Sequence, residues 1–154
     1  MPLTAIVLAA GEGTRMKSHH PKIVHKLLDK PLVWWSVNAA ITAGADRVIV
    51  VVGNHADEVK SALSCFPNLE YVAQTERLGT GHAVKVVKDA LGGFKGPVVV
   101  INGDASLLRA QSILDLVAET KAHHNACTVL TMTPPDPTGY GRVISSNGQV
   151  TAIV

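Results

Sequence analysis

Residues 47–52, Arg47-Val48-Ile49-Val50-Val51-Val52, limit the fold more than any other stretch of the chain. After the arginine every side chain is β-branched and none alternates with a polar one. A strand of that kind is buried on both faces, which requires a sheet covered by helices on both sides. Val98-Val99-Val100-Ile101 and Ala5-Ile6-Val7-Leu8-Ala9 read the same way. Aromatic residues make up only 4% of the chain, so its core is expected to be built from Val, Ile, Leu and Ala.

Helical patterns separate these strands. Leu32, Val33, Ser36, Val37, Ala40 and Ile41 recur at helical spacing, with Gly44 as a C-terminal stop. Further helices are expected from Asn54, as N-cap, to about residue 64, from about His82 to Leu91, and over residues 109–122. The last of these carries Ile113, Leu114, Val117 and Ala118 on its apolar side. Strands are expected over 4–9, 47–52, 68–73, 98–101 and 126–132, and a hairpin around Asn147-Gly148. The alternation predicts a three-layer αβα, Rossmann-like fold with a mostly parallel mixed sheet. Ligands of such sheets bind at the carboxyl ends of the strands.

The loops at those ends carry the chemistry. Leu8-Ala9-Ala10-Gly11-Glu12-Gly13-Thr14-Arg15 follows the first strand, with Pro21-Lys22 downstream. The two glycines permit a sharp turn and a close approach of backbone to ligand. Backbone N–H groups in such a turn can converge on an anion, and Arg15 and Lys22 add positive charge. A dinucleotide fingerprint needs a third small residue where Met16 stands, and the G-K-[ST] ending of a P-loop is absent.

Asp104 leaves the fourth strand within Asn102-Gly103-Asp104, where its carboxylate can hold Mg²⁺ or cap the next helix. Gln74 can read a base edge through an amide that both donates and accepts. Gly79-Thr80-Gly81 admits a flat base or caps a helix at Thr80, and Gly139-Tyr140-Gly141 offers a second close approach. The seven histidines show no metal-ligand spacing. His19-His20 and His123-His124 read as exposed, and His82 receives no role. Cys65 and Cys127 adjoin apolar residues and read as small core side chains in a reducing compartment. The formal charge of +2 is too small to argue for nucleic acid or an anionic membrane as partner. The apolar N-terminal run is too short for a signal peptide or a membrane span, which makes the cytoplasm the expected location.

Taken together, L-A-A-G-E-G-T-R-M with Pro21-Lys22 resembles the signature of sugar-nucleotide pyrophosphorylases. The runs Gln74-Thr75-Glu76-Arg77-Leu78-Gly79-Thr80-Gly81-His82-Ala83, Asn102-Gly103-Asp104 and Asp136-Pro137-Thr138-Gly139-Tyr140-Gly141-Arg142 narrow the likeness. They resemble the N-terminal uridylyltransferase domain of the bacterial bifunctional N-acetylglucosamine-1-phosphate uridylyltransferase / glucosamine-1-phosphate N-acetyltransferase family. The resemblance implies Mg²⁺-dependent, in-line attack of N-acetylglucosamine 1-phosphate on the α-phosphorus of UTP, giving UDP-N-acetylglucosamine and pyrophosphate. It implies catalytic roles for Arg15 and Lys22, and nucleotide contacts from Leu8, Ala10, Gly11, Gly13, Gln74, Gly79 and Thr80. It also implies Mg²⁺ on Asp104 and the sugar at Gly141. Residues 1–154 then form the N-terminal part of one nucleotidyltransferase domain. The rest of the site and a trimer-forming left-handed β-helix would lie beyond it. Arg77 stands where the family pattern has Gln, and Ala105-Ser106-Leu107 departs from the usual x-Pro-Leu. A non-catalytic nucleotide-binding module, and a sister transferase for another base or sugar, are the competing readings.

Overall fold

The computed structural model describes residues 1–154 apart from Met1, Glu12, Thr14, Arg15, Lys17, Arg77 and Gly148. Strand β1 (Thr4–Ala9) lies between β4 (Arg47–Val52) and β6 (Val98–Asn102), and β5 (Leu69–Ala73) extends the sheet beyond β4. All three pairings are parallel, so the four-stranded sheet runs β5-β4-β1-β6 without an antiparallel member. Antiparallel pairing is confined to two small hairpins. One joins β2 (Lys26–Leu27) to β3 (Lys30–Pro31), and the other joins β7 (Val143–Ser146) to β8 (Gln149–Ile153).

Residues alternate between the two faces of the sheet, and each face has its own core. Ala5, Val7, Val48, Val50, Val99 and Ile101 point to helices α1 (Leu32–Thr42), α2 (Ala56–Ala62) and α5 (Ala110–Ala122). They meet Val33, Val37 and Ala40 of α1, Val59 of α2 and Ile113 of α5. Ile6, Ile49 and Val51 point the other way, to Ala83 and Val87 around α3 (Thr80–Lys85) and α4 (Lys88–Leu91). The three-layer arrangement follows from those unalternating strands, which bury apolar side chains on both sides.

Several elements differ from expectation. The helix expected over 82–91 starts at Thr80 and breaks into α3 and α4. His55, not Asn54, occupies the N-cap of α2, and its ring donates to Glu58 at 2.8 Å. In α5, Leu114 is exposed, and Leu116 joins Ile113 and Val117 against the core. Residues 126–132 form no strand, because no backbone partner meets them, and Val129, Leu130 and Met132 stay in solvent. The second helical layer stops short of β6, so Val98 and Val100 are exposed where a two-sided strand was expected. Cys65 and Cys127 are exposed thiols rather than core residues. Cys65 sits in the turn after α2, where its sulfur accepts the Trp34 indole N–H at 3.2 Å, and Cys127 lies in the unpaired stretch.

Candidate nucleotide cleft

In the order β5-β4-β1-β6 the chain moves outward from β1 on one side and then crosses to its other side. The carboxyl ends of β1 and β6 therefore flank the point where connections diverge, the usual place for a ligand crevice in such sheets. A cavity of about 860 Å³ opens there. Leu8, Ala10, Gly11 and Gly13 line it from β1 and its loop, and Lys22 from the following one-turn 3₁₀ helix (Lys22–Val24). Gln74, Gly79 and Thr80 line it from the end of β5 and the start of α3, and Asp104 from the end of β6. Loops far apart in sequence thus converge because parallel strands deliver their carboxyl ends to one rim.

Two glycines let the backbones approach. Gly103 donates its N–H to the Leu8 carbonyl at 2.9 Å, and a Cβ there would stand 2.7 Å from that oxygen. Gly13 combines a φ of +64° with contact against Lys22, so a larger residue would displace the lysine. Ser36, fully buried on α1, donates to the Asn102 carbonyl at 3.0 Å and ties the end of β6 to the helix beneath it. From that anchored end Asp104 Oδ2 meets Lys22 Nζ at 2.8 Å. Both side chains are about 40% exposed, at 42% and 40%, so the pair is open to solvent. It holds together residues 82 positions apart.

On the opposite wall Gln74 is 7% exposed. Its backbone N–H donates to the Val52 carbonyl at 2.8 Å, continuing the β4–β5 ladder by one residue. Its amide nitrogen donates to the Gly79 carbonyl at 3.1 Å and stands 3.2 Å from His82 Nδ1. Gly79 has a φ of +91° and a ψ of −176°, a region essentially reserved for glycine. That conformation places its carbonyl to accept from both Gln74 and the Ala83 N–H. Thr80 is the first residue of α3 and makes no side-chain cap.

Arg15 lies outside the described residues, as does Arg77. Gly141 does not line the cleft. It lies beside Val154 at the base of the β7–β8 hairpin, whose described residues are exposed and pair with each other. Met16, Ile23, Ala83 and Asn102 also line the cavity. Met16, Ala83 and Asn102 stand within the motifs quoted from the sequence without having been given a role, and Ile23 adjoins Lys22. Among the described residues no group of three or more His, Cys, Asp or Glu is placed to hold a metal. Among them, too, no helix is long and apolar enough to cross a membrane.

Comparison with known proteins places the sequence and the fold. The bifunctional protein GlmU of Picosynechococcus sp. is 47% identical over 149 residues, covering 96% of this chain and 33% of that protein. The bifunctional protein GlmU of Cyanothece sp. is 45% identical over 144 residues, covering 94% of this chain and 32% of that protein. The chain thus spans about a third of the length of these relatives. Rv0371c of Mycobacterium tuberculosis, crystallised as a complex with manganese, shares the fold. It superposes with a TM-score of 0.66 at 20% identity, over 79% of this chain and 61% of that one. The family model of the MobA-like NTP transferase domain matches residues 5–145, and the chain belongs to that family.

Proposed function

We propose that the chain is the nucleotide-binding part of a uridylyltransferase that joins UTP to N-acetylglucosamine 1-phosphate and releases pyrophosphate. The observation that carries this reading is the Lys22–Asp104 pair, 2.8 Å apart, at the mouth of a cleft whose far wall is the Gln74 amide. The distribution suits a nucleotide. The Lys22–Asp104 pair offers charged partners for phosphates and a metal, and the Gln74 amide offers a group able to read a base. The identity of 45–47% to GlmU proteins over nearly the whole chain supports the same reading.

In this reading the ammonium of Lys22 and the guanidinium of Arg15 balance the triphosphate charge and the charge that develops at the α-phosphorus. Backbone groups of Leu8, Ala10, Gly11 and Gly13 border the nucleoside, and Gln74, Gly79 and Thr80 border the base. A single carboxylate fits Mg²⁺, which takes one or two from protein and completes its shell with phosphate oxygens and water. Asp104 would hold the ion, and a bound Mg²⁺ would supply Lewis-acid polarisation of the phosphates. Gly141 reaches the acceptor sugar only if the segment carrying the β7–β8 hairpin packs over the cleft. Further chain would complete the domain, and a β-helix beyond it would assemble trimers in the cytoplasm.

Calorimetric titration of the 154-residue chain with UTP and Mg²⁺, with CTP, ATP and dTTP as controls, tests the proposal. Selective, Mg²⁺-enhanced binding of UTP is expected, and Asp104→Asn should remove the Mg²⁺ enhancement while leaving the thermal midpoint nearly unchanged. A folded chain that binds no nucleotide would overturn the reading and leave a domain without nucleotide function.

A further inference from the structure

We propose that His82 is a positioning residue that sets base selectivity through Gln74. The inference rests on the reading of the cleft as a nucleotide site and adds to it the residue that decides which base is accepted. His82 does not line the cleft; it is half-buried, with its ring Nδ1 against the Gln74 amide nitrogen. The orientation of the Gln74 amide follows from its partners. The Gly79 carbonyl, 3.1 Å away, offers only lone pairs, so the amide end facing it is the nitrogen. His82 Nδ1 stands 3.2 Å from the same nitrogen and 3.0 Å from the Glu76 carbonyl. With a hydrogen on Nδ1 the ring bonds Glu76 and walls the amide in. With none it accepts the second amide hydrogen. In either tautomer the nitrogen end of Gln74 is occupied by protein, and rotating the amide would bring its oxygen against the Gly79 oxygen.

The end left for a ligand is the carbonyl oxygen, and among the described residues nothing donates to it. An acceptor at this depth selects a base with a hydrogen on its ring nitrogen. The imide N–H of uracil donates to it. The corresponding ring nitrogen of cytosine carries a lone pair, so two acceptors would face each other in a buried setting, each unsatisfied. Without the His82 ring nitrogen only the Gly79 carbonyl opposes rotation of the amide, so its nitrogen turns outward more readily and the discrimination falls.

The test is calorimetry of the 154-residue chain with UTP and with CTP, each with Mg²⁺, for the unaltered protein, His82→Phe, His82→Asn and His82→Gln. Circular dichroism checks that each is folded. The unaltered chain should prefer UTP, and His82→Phe should reduce that preference about tenfold, the scale of one buried hydrogen bond made or left unmade. His82→Asn carries a polar atom near the Nδ1 position and should keep most of the preference. His82→Gln extends towards the Nε2 position and should not. If His82→Phe does not fold, the Asn and Gln variants decide by the same ratio. A UTP/CTP preference unchanged in folded His82→Phe, or equal in the Asn and Gln variants, would overturn the role of His82 alone. Nucleotide binding absent in the unaltered chain would overturn the cleft assignment together with it.

Discussion

Two glycines of the cleft serve opposite purposes. Gly103 is needed for space, since a Cβ would press on the Leu8 carbonyl at 2.7 Å. Gly79 has open space around the Cβ position and is needed for its φ of +91°. Replacing it with alanine therefore costs backbone strain and no clash, about 1–3 kcal/mol. Gly79→Ala is expected to lower the urea midpoint accordingly. Because relaxation of the strain turns the carbonyl away from Gln74, it should weaken UTP binding as well. An unchanged midpoint would mean that the backbone there reaches an ordinary conformation cheaply. The sequence motif L-G-T-G-H marks this loop as permissive, but which glycine is required for conformation became visible only in the dihedral angles. The same holds for His82, because its partner Gln74 lies across a turn that no periodicity describes.

At the scale of elements, the sheet edge at β5 is fastened by a bidentate pair. Arg47 on β4 donates from Nε and Nη2 to the two carboxylate oxygens of Glu70 on β5, both at 2.8 Å. Nη2 also donates to the Ala90 carbonyl at 3.0 Å, so the pair reaches the helical layer. The Arg47 hydrogen bonds hold the Glu70 carboxyl below its usual range, outweighing the opposing effect of desolvation. A carboxylate depressed in the folded state contributes stability above its unfolded pKa, and the contribution disappears as pH falls through the folded value. With side chains 33% and 46% exposed, the pair is worth no more than about 1 kcal/mol. Glu70→Gln should therefore lower the urea midpoint slightly at pH 7, and the two midpoints should converge towards pH 3. A difference that grows with acid would show that the pair does not act through the Glu70 charge. The strands themselves were legible, since β1, β4, β5 and β6 fall where their apolar runs do. The stretch 126–132 is also mostly apolar and is not a strand, because composition supplies a surface for pairing and not the partner.

Across the whole molecule, apolar surface is covered unevenly. The face that meets α1, α2 and α5 is closed, but on the other face Val98 and Val100 are 39% and 45% exposed. Val143, Ile144, Val150 and Ile153 of the β7–β8 hairpin are exposed as well. Bare apolar patches and an open strand edge favour association. Sedimentation velocity should show a weight-average coefficient that rises with protein concentration. Val100→Lys, which places charge on the bare face of β6, should reduce the rise without lowering stability. A coefficient independent of concentration would contradict this.

The sequence by itself determined the layers and the parallel sheet, because side-chain burial on both faces of a strand is written in local composition. It also identified the loops that carry glycine, cation and carboxylate, because chain direction in a βα alternation sends every such loop to one rim. Only the tertiary structure decided that Lys22 and Asp104 form an ion pair, that Gln74 points its nitrogen into the protein, and that Gly141 stands away from the cleft. Each of those depends on contacts between segments whose separation in sequence carries no signal of their distance in space.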